Sequence, residues 1–185
     1  TPAKNLLAAA PWVFVRGNHE SCFRAGQGWF RYVDTQPWRI ERSCDDPRFD
    51  TQGDYSEPYA IDIGGDEQLV IFDSSKTSGR PLSSADPAWA IYDQQLAQVA
   101  AMVQQKKNSW FISHHPLLAV LPGRQSGEFR LAGNLGLQSV FEKTYPEQLL
   151  PDGVRLALHG HVHLFESISF KGAHPASIIL GNSGS

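Results

Sequence analysis

The sequence predicts a mixed α/β domain. Apolar runs on either side of short Gly-containing turns predict β-hairpins, and a longer stretch with apolar residues every three or four positions predicts an amphipathic helix. Three polar, histidine-rich turns follow further apolar runs, as expected at the ends of buried strands. With 185 residues, 41% hydrophobic and 19% charged, the chain has the composition of an ordinary globular protein, and we expect residues 1–185 to form a single domain.

The first part of the chain predicts one strand, a long loop and a hairpin. Residues 11–16 are apolar, β-rich and followed by glycine, which predicts a buried strand. Residues 21–58 show no steady period and predict a long loop with one short helix at 29–33. Two apolar runs, 59–63 and 68–72, flank a Gly-Gly turn and predict a hairpin.

A helix is predicted to begin at Asp86 and Pro87, because Asp is a preferred N-cap and Pro is favoured at the first helical position. Through about Lys106 its apolar residues recur at intervals of three and four, which forms one stripe for the core. These residues are Trp89, Tyr92, Leu96, Val99 and Val103.

The rest of the chain predicts short strands, a loop and one further helix. Residues 137–141 carry the apolar spacing of a short helix. Residues 164–170 and 176–180 flank a Lys-Gly turn and predict a closing hairpin. Single strands are predicted at 110–113 and 154–158, and a loop at 117–133.

Charge and hydropathy exclude two classes of function. The net charge is -3, and there is no basic stripe of the kind that neutralises a nucleic-acid backbone, so no nucleic-acid partner is expected. No apolar run approaches the roughly 20 residues that cross a bilayer, so no membrane span is expected.

The two cysteines, Cys22 and Cys44, lie in the irregular segment that follows the first histidine-containing turn. This segment has little apolar periodicity to hold it, which favours a disulfide over two reduced thiols. A disulfide would indicate an oxidising compartment, periplasmic or secreted, although the sequence alone leaves the localisation open.

Three histidine-rich turns carry the candidate chemistry. They are Gly-Asn-His-Glu at 17–20, Ser-His-His-Pro at 113–116 and His-Gly-His-Val-His at 159–163. Imidazole nitrogens and an amide oxygen suit zinc, iron, manganese or related ions, so the turns predict a metal site at the rim of a sheet. The two histidines of Gly-His-Val-His can face one side or splay toward two neighbouring ions, which together would clamp a phosphorus centre.

In this order the turns resemble the last three motifs of the calcineurin-like metallophosphoesterases. Residues 181–184, Gly-Asn-Ser-Gly, are similar to the glycine-rich strand end that follows Gly-His-x-His in that family. The resemblance implies a double β-sheet sandwich flanked by helices. It also implies a hydrolase of phosphate esters with two divalent or trivalent transition-metal ions (zinc, iron or manganese), in which a metal-bound hydroxide attacks phosphorus.

The resemblance implies a role for each matching residue. Asn18, His114 and His161 would bind one ion, and His163 would bind the other. Asn18 would also lie beside the phosphate of the substrate. His19 would contact the substrate as general acid or orienting base near the leaving group, and would not bind metal.

Two motifs of the family, Asp-x-His and Gly-Asp, should precede Gly-Asn-His and are absent from residues 1–16. In the family, these motifs supply the carboxylate that bridges the two ions and most ligands of one of them. Of the ligands of that ion, this chain would supply only His163. We therefore interpret the chain as the C-terminal part of a metallophosphoesterase domain, incomplete at its N-terminus. Its activity would require an N-terminal segment in the same or a separate chain.

Other functions remain as alternatives. The chain would otherwise be a truncated or degenerate module that binds metal or a partner without catalysis. A protein phosphatase of the Arg-Gly-Asn-His-Glu type is disfavoured because the later motifs differ from that family's, and a nuclease is disfavoured by the net negative charge.

Several further polar residues have more than one interpretation. Arg16 would either bind phosphate bidentately or pair with a loop, and the second is favoured. Asp73 is expected to be an ordinary turn acid, and His159 and His174 to be structural. His115 would face the substrate, pack, or exchange roles with His114. Substrate lining and loop packing both remain open for Arg24, Trp29, Arg31, Trp38 and Arg39.

Overall fold

The computed structural model describes residues 2–45, 53–77, 79–122 and 128–181. Within them the α-helices are Pro2–Ala9 (α1), Cys22–Ala25 (α2), Gly28–Tyr32 (α3), Pro87–Val103 (α4) and Leu135–Thr144 (α5). The strands are Tyr59–Gly64 (β1), Glu67–Phe72 (β2), Asn108–Ser113 (β3), Ala119–Pro122 (β4), Phe129–Ala132 (β5), Val154–His159 (β6), Phe165–Ile168 (β7) and Ala176–Leu180 (β8).

Six strands form one mixed sheet in the order β1-β2-β3-β6-β8-β7, and β4 pairs with β5 in a second sheet. β2, β3, β6 and β8 are parallel neighbours, and the two edge strands are antiparallel to them. The predicted α/β fold with two sheets and helices is therefore confirmed. Because parallel strands end at the same edge, Ser113 stands beside both Phe72 and His159, and the turns after these strands meet.

The core lies between the six-stranded sheet and the helices α4 and α5. Val70, Phe111 and Ala157 are neighbours on three paired strands and are fully buried. The helix residues buried in the same cluster are Tyr92, Leu96, Val99, Val103, Leu137, Val140 and Phe141. Full burial of each large apolar side chain stabilises the fold by about 1.5–3 kcal/mol relative to exposure, so this cluster fixes α4 and α5 on the sheet.

Most of the predicted elements are present. The hairpins β1–β2 and β7–β8, the strands β3 and β6 and the helices α3 and α5 form where the sequence places them. α4 begins at Pro87 with Asp86 as N-cap residue, but it ends at Val103 rather than near Lys106. The Asp86 carboxylate accepts a hydrogen bond from the Ser83 amide (2.8 Å) instead of one from the helix.

The buried strand predicted at residues 11–16 is wrong. No described strand pairs with this segment, and Trp12, Val13 and Phe14 are 50%, 37% and 43% exposed. Trp12 and Phe14, two positions apart, stack with their ring centroids 6.2 Å apart. Apolar, β-branched composition gives a preference for strands, but a strand forms only when a neighbour completes its ladder.

The loop predicted at 117–133 is also corrected, because β4 and β5 lie within it. They pair antiparallel, with Ala119 opposite Ala132 and Pro122 opposite Phe129. Residues 123–127 lie outside the described residues. Each strand is four residues long, which is too short for alternation to stand out from a sequence rich in Gly, Pro and charged residues. The helix α1 is likewise missing from the sequence-based assignment.

The segment after the first histidine-containing turn is held by the predicted disulfide. Cys22 and Cys44 are bonded, with their Cα atoms 5.3 Å apart, and Cys22 packs against Trp29 and Phe30. The Trp29 indole N–H donates to Ser56 Oγ at 2.7 Å. Among the helices in the described parts of the chain, none is long and apolar enough to cross a membrane.

Replacing both cysteines by serine should lower the free energy of unfolding by about 3 kcal/mol, because the bond between residues 22 positions apart restricts the unfolded chain. Urea unfolding of Cys22→Ser/Cys44→Ser against the oxidised wild type measures this difference. The reduced wild type is the matched control and should unfold with the double variant. Equal free energies for oxidised and reduced wild type would contradict a stabilising disulfide.

Candidate active site

The histidine-rich turns meet at the carboxyl edge of the parallel strands. β3 delivers His114, and β6 delivers the turn at residues 160–163. The Gly160 amide donates to the His114 carbonyl at 3.0 Å and ties the two turns together. This arrangement follows directly from the pairing of Ser113 with His159 at the strand ends.

The first motif packs against this edge as a single 3-10 turn, Asn18–Glu20. The Glu20 carboxylate accepts a hydrogen bond from the Gly17 amide at 3.0 Å. A Cβ atom on Gly17 would lie 3.0 Å from the ring of His114. Glycine at this position therefore lets the backbone approach the imidazole closely.

Three donor atoms converge where the turns meet. His114 Nε2 lies 3.0 Å from Asn18 Oδ1 and 3.1 Å from His161 Nδ1. Ligands bonded to one transition-metal ion at about 2.0–2.2 Å stand roughly 3 Å from one another. His114 Nε2 therefore lies at the spacing of two ligands from both Asn18 Oδ1 and His161 Nδ1, and the resemblance assigned these three residues to one ion.

His115 belongs to the same cluster. Ring nitrogens of His114, His115 and His161 lie within 4.8 Å of one another. His115 is 6% exposed, and its Nδ1 lies 3.1 Å from Ser74 Oγ, which also accepts the His115 amide at 2.9 Å. The remaining ring nitrogen, Nε2, makes His115 an alternative ligand that the sequence did not distinguish from a packing residue.

The turn that carries His161 is under backbone strain. His161 has φ 64°, a left-handed value that is uncommon for a residue with a side chain. A Cβ atom on Gly181 would lie 1.8 Å from the Val162 carbonyl, so glycine is required where β8 ends beneath this turn. Such strain is typical of functional sites. The rest of the predicted closing motif, residues 182–184, lies outside the described residues.

A cavity of about 280 Å³, called the cluster cavity here, opens over these side chains. It is lined by Asn18, His19, Glu20, His114, His161 and His163. His19 and His163 are both exposed. The ring nitrogens of His163 are not in the group of described histidine nitrogens that lie within 4.8 Å of one another. Among the described residues, the close group of ring nitrogens therefore consists of His114, His115 and His161 and does not include His163.

Glu20 is a cavity residue that sequence reasoning missed. It lines the cluster cavity beside His19. One of its carboxylate oxygens accepts the Gly17 amide. Its position next to His19 in the first motif was the available signal.

Burial keeps the cluster histidines neutral. Desolvation, followed by the effect of the neighbouring His161, lowers the pKa of His114 to about 4 and that of His115 to about 3. Desolvation also lowers the pKa of His161, with smaller contributions from His163 and His19. The neutral imidazole is the form that binds a metal ion, so the cluster is ready to accept one at neutral pH.

A buried ion cluster lies beneath the first motif. Arg16 is 1% exposed and forms ion pairs with Asp54 and, at 2.9 Å, with Asp73. Its Nε and Nη2 donate to the Glu20 carbonyl at 3.2 and 3.1 Å. Every N–H of the guanidinium thus has an acceptor within the protein, which supports the loop-pairing interpretation of Arg16 over phosphate binding.

The interpretation of Asp73 as an ordinary turn acid is wrong. Asp73 is 4% exposed, and its carboxylate accepts hydrogen bonds from Arg16, from the Ser56 amide (2.7 Å) and from the Ser75 amide (2.8 Å). The sequence showed an acid at a strand end but not the arginine from another segment that pairs with it.

The other candidate residues lie outside the cluster cavity. His159 Nδ1 faces Ser113 Oγ at 3.0 Å, and His174 Nδ1 faces the Gln148 carbonyl at 2.6 Å; both histidines are buried. In the long loop, Arg31 stacks over Trp38 at 4.7 Å. Loop packing therefore accounts for these side chains and for the buried Trp29, while Arg24 and Arg39 are exposed.

Arg16→Met should lower the free energy of unfolding by about 3–5 kcal/mol, because it leaves the buried Asp73 carboxylate without a cation and leaves Asp54 paired only with Lys76. Arg80→Met is the matched control, since the Arg80–Asp86 pair is exposed and its loss should change stability by less than about 1 kcal/mol. Urea unfolding of both variants against wild type measures the two effects. Equal losses in both variants would contradict the assigned importance of the Arg16 ion cluster.

Comparison with known proteins places this site in a family. The family model of calcineurin-like phosphoesterases matches residues 2–165, which include all three histidine-rich turns. A comparison with curated proteins finds no match. The family implies metal-dependent hydrolysis of phosphoesters, which agrees with a histidine cluster that fits a metal ion. The chain belongs to the calcineurin-like phosphoesterase family.

Proposed function

We propose that this protein hydrolyses phosphate esters in the cluster cavity with the help of bound transition-metal ions. The observation that carries the proposal is that His114 Nε2 lies 3.0 Å from Asn18 Oδ1 and 3.1 Å from His161 Nδ1. Their neutral nitrogen and oxygen donors favour zinc, iron or manganese. When bound, such ions supply Lewis acidity and lower the pKa of water beside the phosphorus.

The residues of the chain bind and orient the ester. Asn18 uses Oδ1 toward the cluster, and its Nδ2 is the atom that would donate to a phosphoryl oxygen. His19 lines the same cavity, and it is not in the close histidine group of His114, His115 and His161. It is therefore positioned to give a proton to the leaving oxygen as general acid.

A dinuclear site requires more ligands than the cluster cavity offers. His163 lines the cavity and would bind the second ion. We propose that an N-terminal segment with the Asp-x-His and Gly-Asp motifs, in the same or a separate chain, supplies the remaining ligands. The small number of ligands also favours a second candidate function. Without the N-terminal segment, the chain would be a module that binds one ion and has no turnover. Metal content of about two ions or one ion per chain separates the two.

The disulfide supports a proposal on localisation. Cys22 and Cys44 are bonded, and disulfides persist mainly in oxidising compartments. We therefore infer a periplasmic or secreted protein.

His19→Ala should lower kcat for methyl phosphate by about 10²–10⁴-fold, because methoxide is a poor leaving group unless its oxygen receives a proton. Metal content, measured by elemental analysis, should stay at the wild-type value. His161→Ala should lower both metal content and kcat, since it removes a ligand. The assay uses the complete protein supplied with zinc or manganese.

His174→Gln is the matched control, because it removes a buried histidine that does not line the cluster cavity. It should leave metal content and turnover at wild-type values. Loss of metal in His19→Ala would make His19 a ligand instead of an acid. An absence of turnover in fully metal-loaded wild type would overturn the hydrolase proposal.

A further inference from the structure

A second cavity, of about 440 Å³, lies beside the cluster cavity. The two cavities share His161 and His163, which therefore form the boundary between them. The volume is within the roughly 300–1,000 Å³ that is usual for small-molecule sites. Apart from the histidines His115, His161 and His163, the residues that line this cavity, called the side cavity below, have no role in the function proposed above.

The β4–β5 hairpin forms one wall of the side cavity. The pairing of Ala119 with Ala132 and of Leu121 with Arg130 places these residues on one face of the hairpin. Leu121 and Ala132 line the cavity, whereas Leu131 points to the other face and is 84% exposed.

The lining presents apolar surface to a ligand. Its apolar side chains are those of Pro116, Leu121, Ala132 and Val162. Among the described lining residues there is no Lys, Arg, Asp or Glu. Arg130 shares the hairpin face but is exposed and is not one of the lining residues.

The polar side chains of the lining are Thr77, Asn134 and the imidazoles of His115, His161 and His163, and the first two are hydrogen-bonded within the protein. Asn134 Oδ1 accepts the Leu137 amide at 3.0 Å, and Asn134 Nδ2 donates to Thr77 Oγ1 at 2.6 Å. Thr77 Oγ1 in turn donates to the Ser74 carbonyl at 3.0 Å. A charged group placed in this cavity would lose its hydration without gaining a partner of opposite charge.

We propose that the side cavity binds the organic group of the phosphate ester and that this group is uncharged and largely apolar. The inference rests on the proposed function, because it places the phosphoryl group in the cluster cavity. His161 and His163, at the boundary, are then next to the bond between phosphorus and the leaving oxygen. An aromatic ring or a branched alkyl group matches both the volume of the cavity and its apolar surface.

The test compares two tryptophan variants on the same strand. Ala132→Trp fills the side cavity, and Leu131→Trp adds the same side chain to the opposite, exposed face. For each protein, kcat/KM is measured for phenyl phosphate, methyl phosphate and 2-aminoethyl phosphate. For each protein, the kcat/KM for one ester is divided by that for another. Comparing this ratio between a variant and wild type cancels the intrinsic reactivity of the leaving groups.

In wild type, phenyl phosphate should be preferred over both smaller esters, and the ammonium of 2-aminoethyl phosphate should add no preference over methyl phosphate. Ala132→Trp should lower the phenyl-to-methyl ratio about tenfold or more, the scale on which apolar pockets discriminate. Leu131→Trp should keep the wild-type ratio. An unchanged ratio in Ala132→Trp overturns the inference while the hydrolase proposal stands.

Binding of phenol provides a readout that needs neither metal nor phosphate. In amide NMR spectra, phenol should shift Gly133 and Val162 saturably in wild type and in Leu131→Trp, but not in Ala132→Trp. These shifts in a protein that hydrolyses no ester would support the side cavity and reject the proposed function. Their absence from wild type overturns the inference.

Discussion

The candidate site depends on the buried guanidinium of Arg16. Residues 11–16 form no strand, so the sheet itself does not hold the turn that carries Asn18 and His19. Arg16 holds it instead, by donating to the Glu20 carbonyl within the turn and to Asp73 directly after β2. This anchor brings Asn18 to the edge where β3 and β6 end.

The same ion cluster reaches the disulfide segment. Asp54 pairs with Arg16 and also accepts the Cys22 amide at 3.0 Å. The covalent bond from Cys22 to Cys44 and the buried ion pairs therefore restrain the chain on the two sides of His19. A preorganised turn is what a site needs when an amide oxygen and an imidazole must meet at one point.

Patterns within a few residues of one another were readable in the sequence. β3 and β6 were predictable because each apolar run ends in a histidine turn, and the stripe from Tyr92 to Val103 specified the face of α4. Their parallel pairing then brings His114 and His161 together, as a rim site requires.

Features that depend on distant partners were not predictable. Asp73 appeared ordinary because Arg16, 57 positions away, is its partner only in the fold. His115 could not be separated from a packing residue until Ser74 was seen to orient its ring. Residues 11–16 looked like a strand because composition reports preference and does not report whether a neighbouring strand exists.

In the proposed function, the two cavities would bind different parts of an ester. The cluster cavity carries the polar groups of Asn18 and His19, whereas the surface of the side cavity is mainly apolar. Membership of the family accounts for the first surface. The hairpin wall around Ala132 determines the second, so it is the region in which substrate preference would vary without change to the cluster.

The most direct test of this account is anomalous diffraction from crystals of the protein soaked in zinc or manganese, recorded at the absorption edge of the metal. The account predicts a peak about 2.0–2.2 Å from Asn18 Oδ1, His114 Nε2 and His161 Nδ1 together. A peak bound by His115 in place of Asn18, or no peak within the histidine cluster, would contradict it.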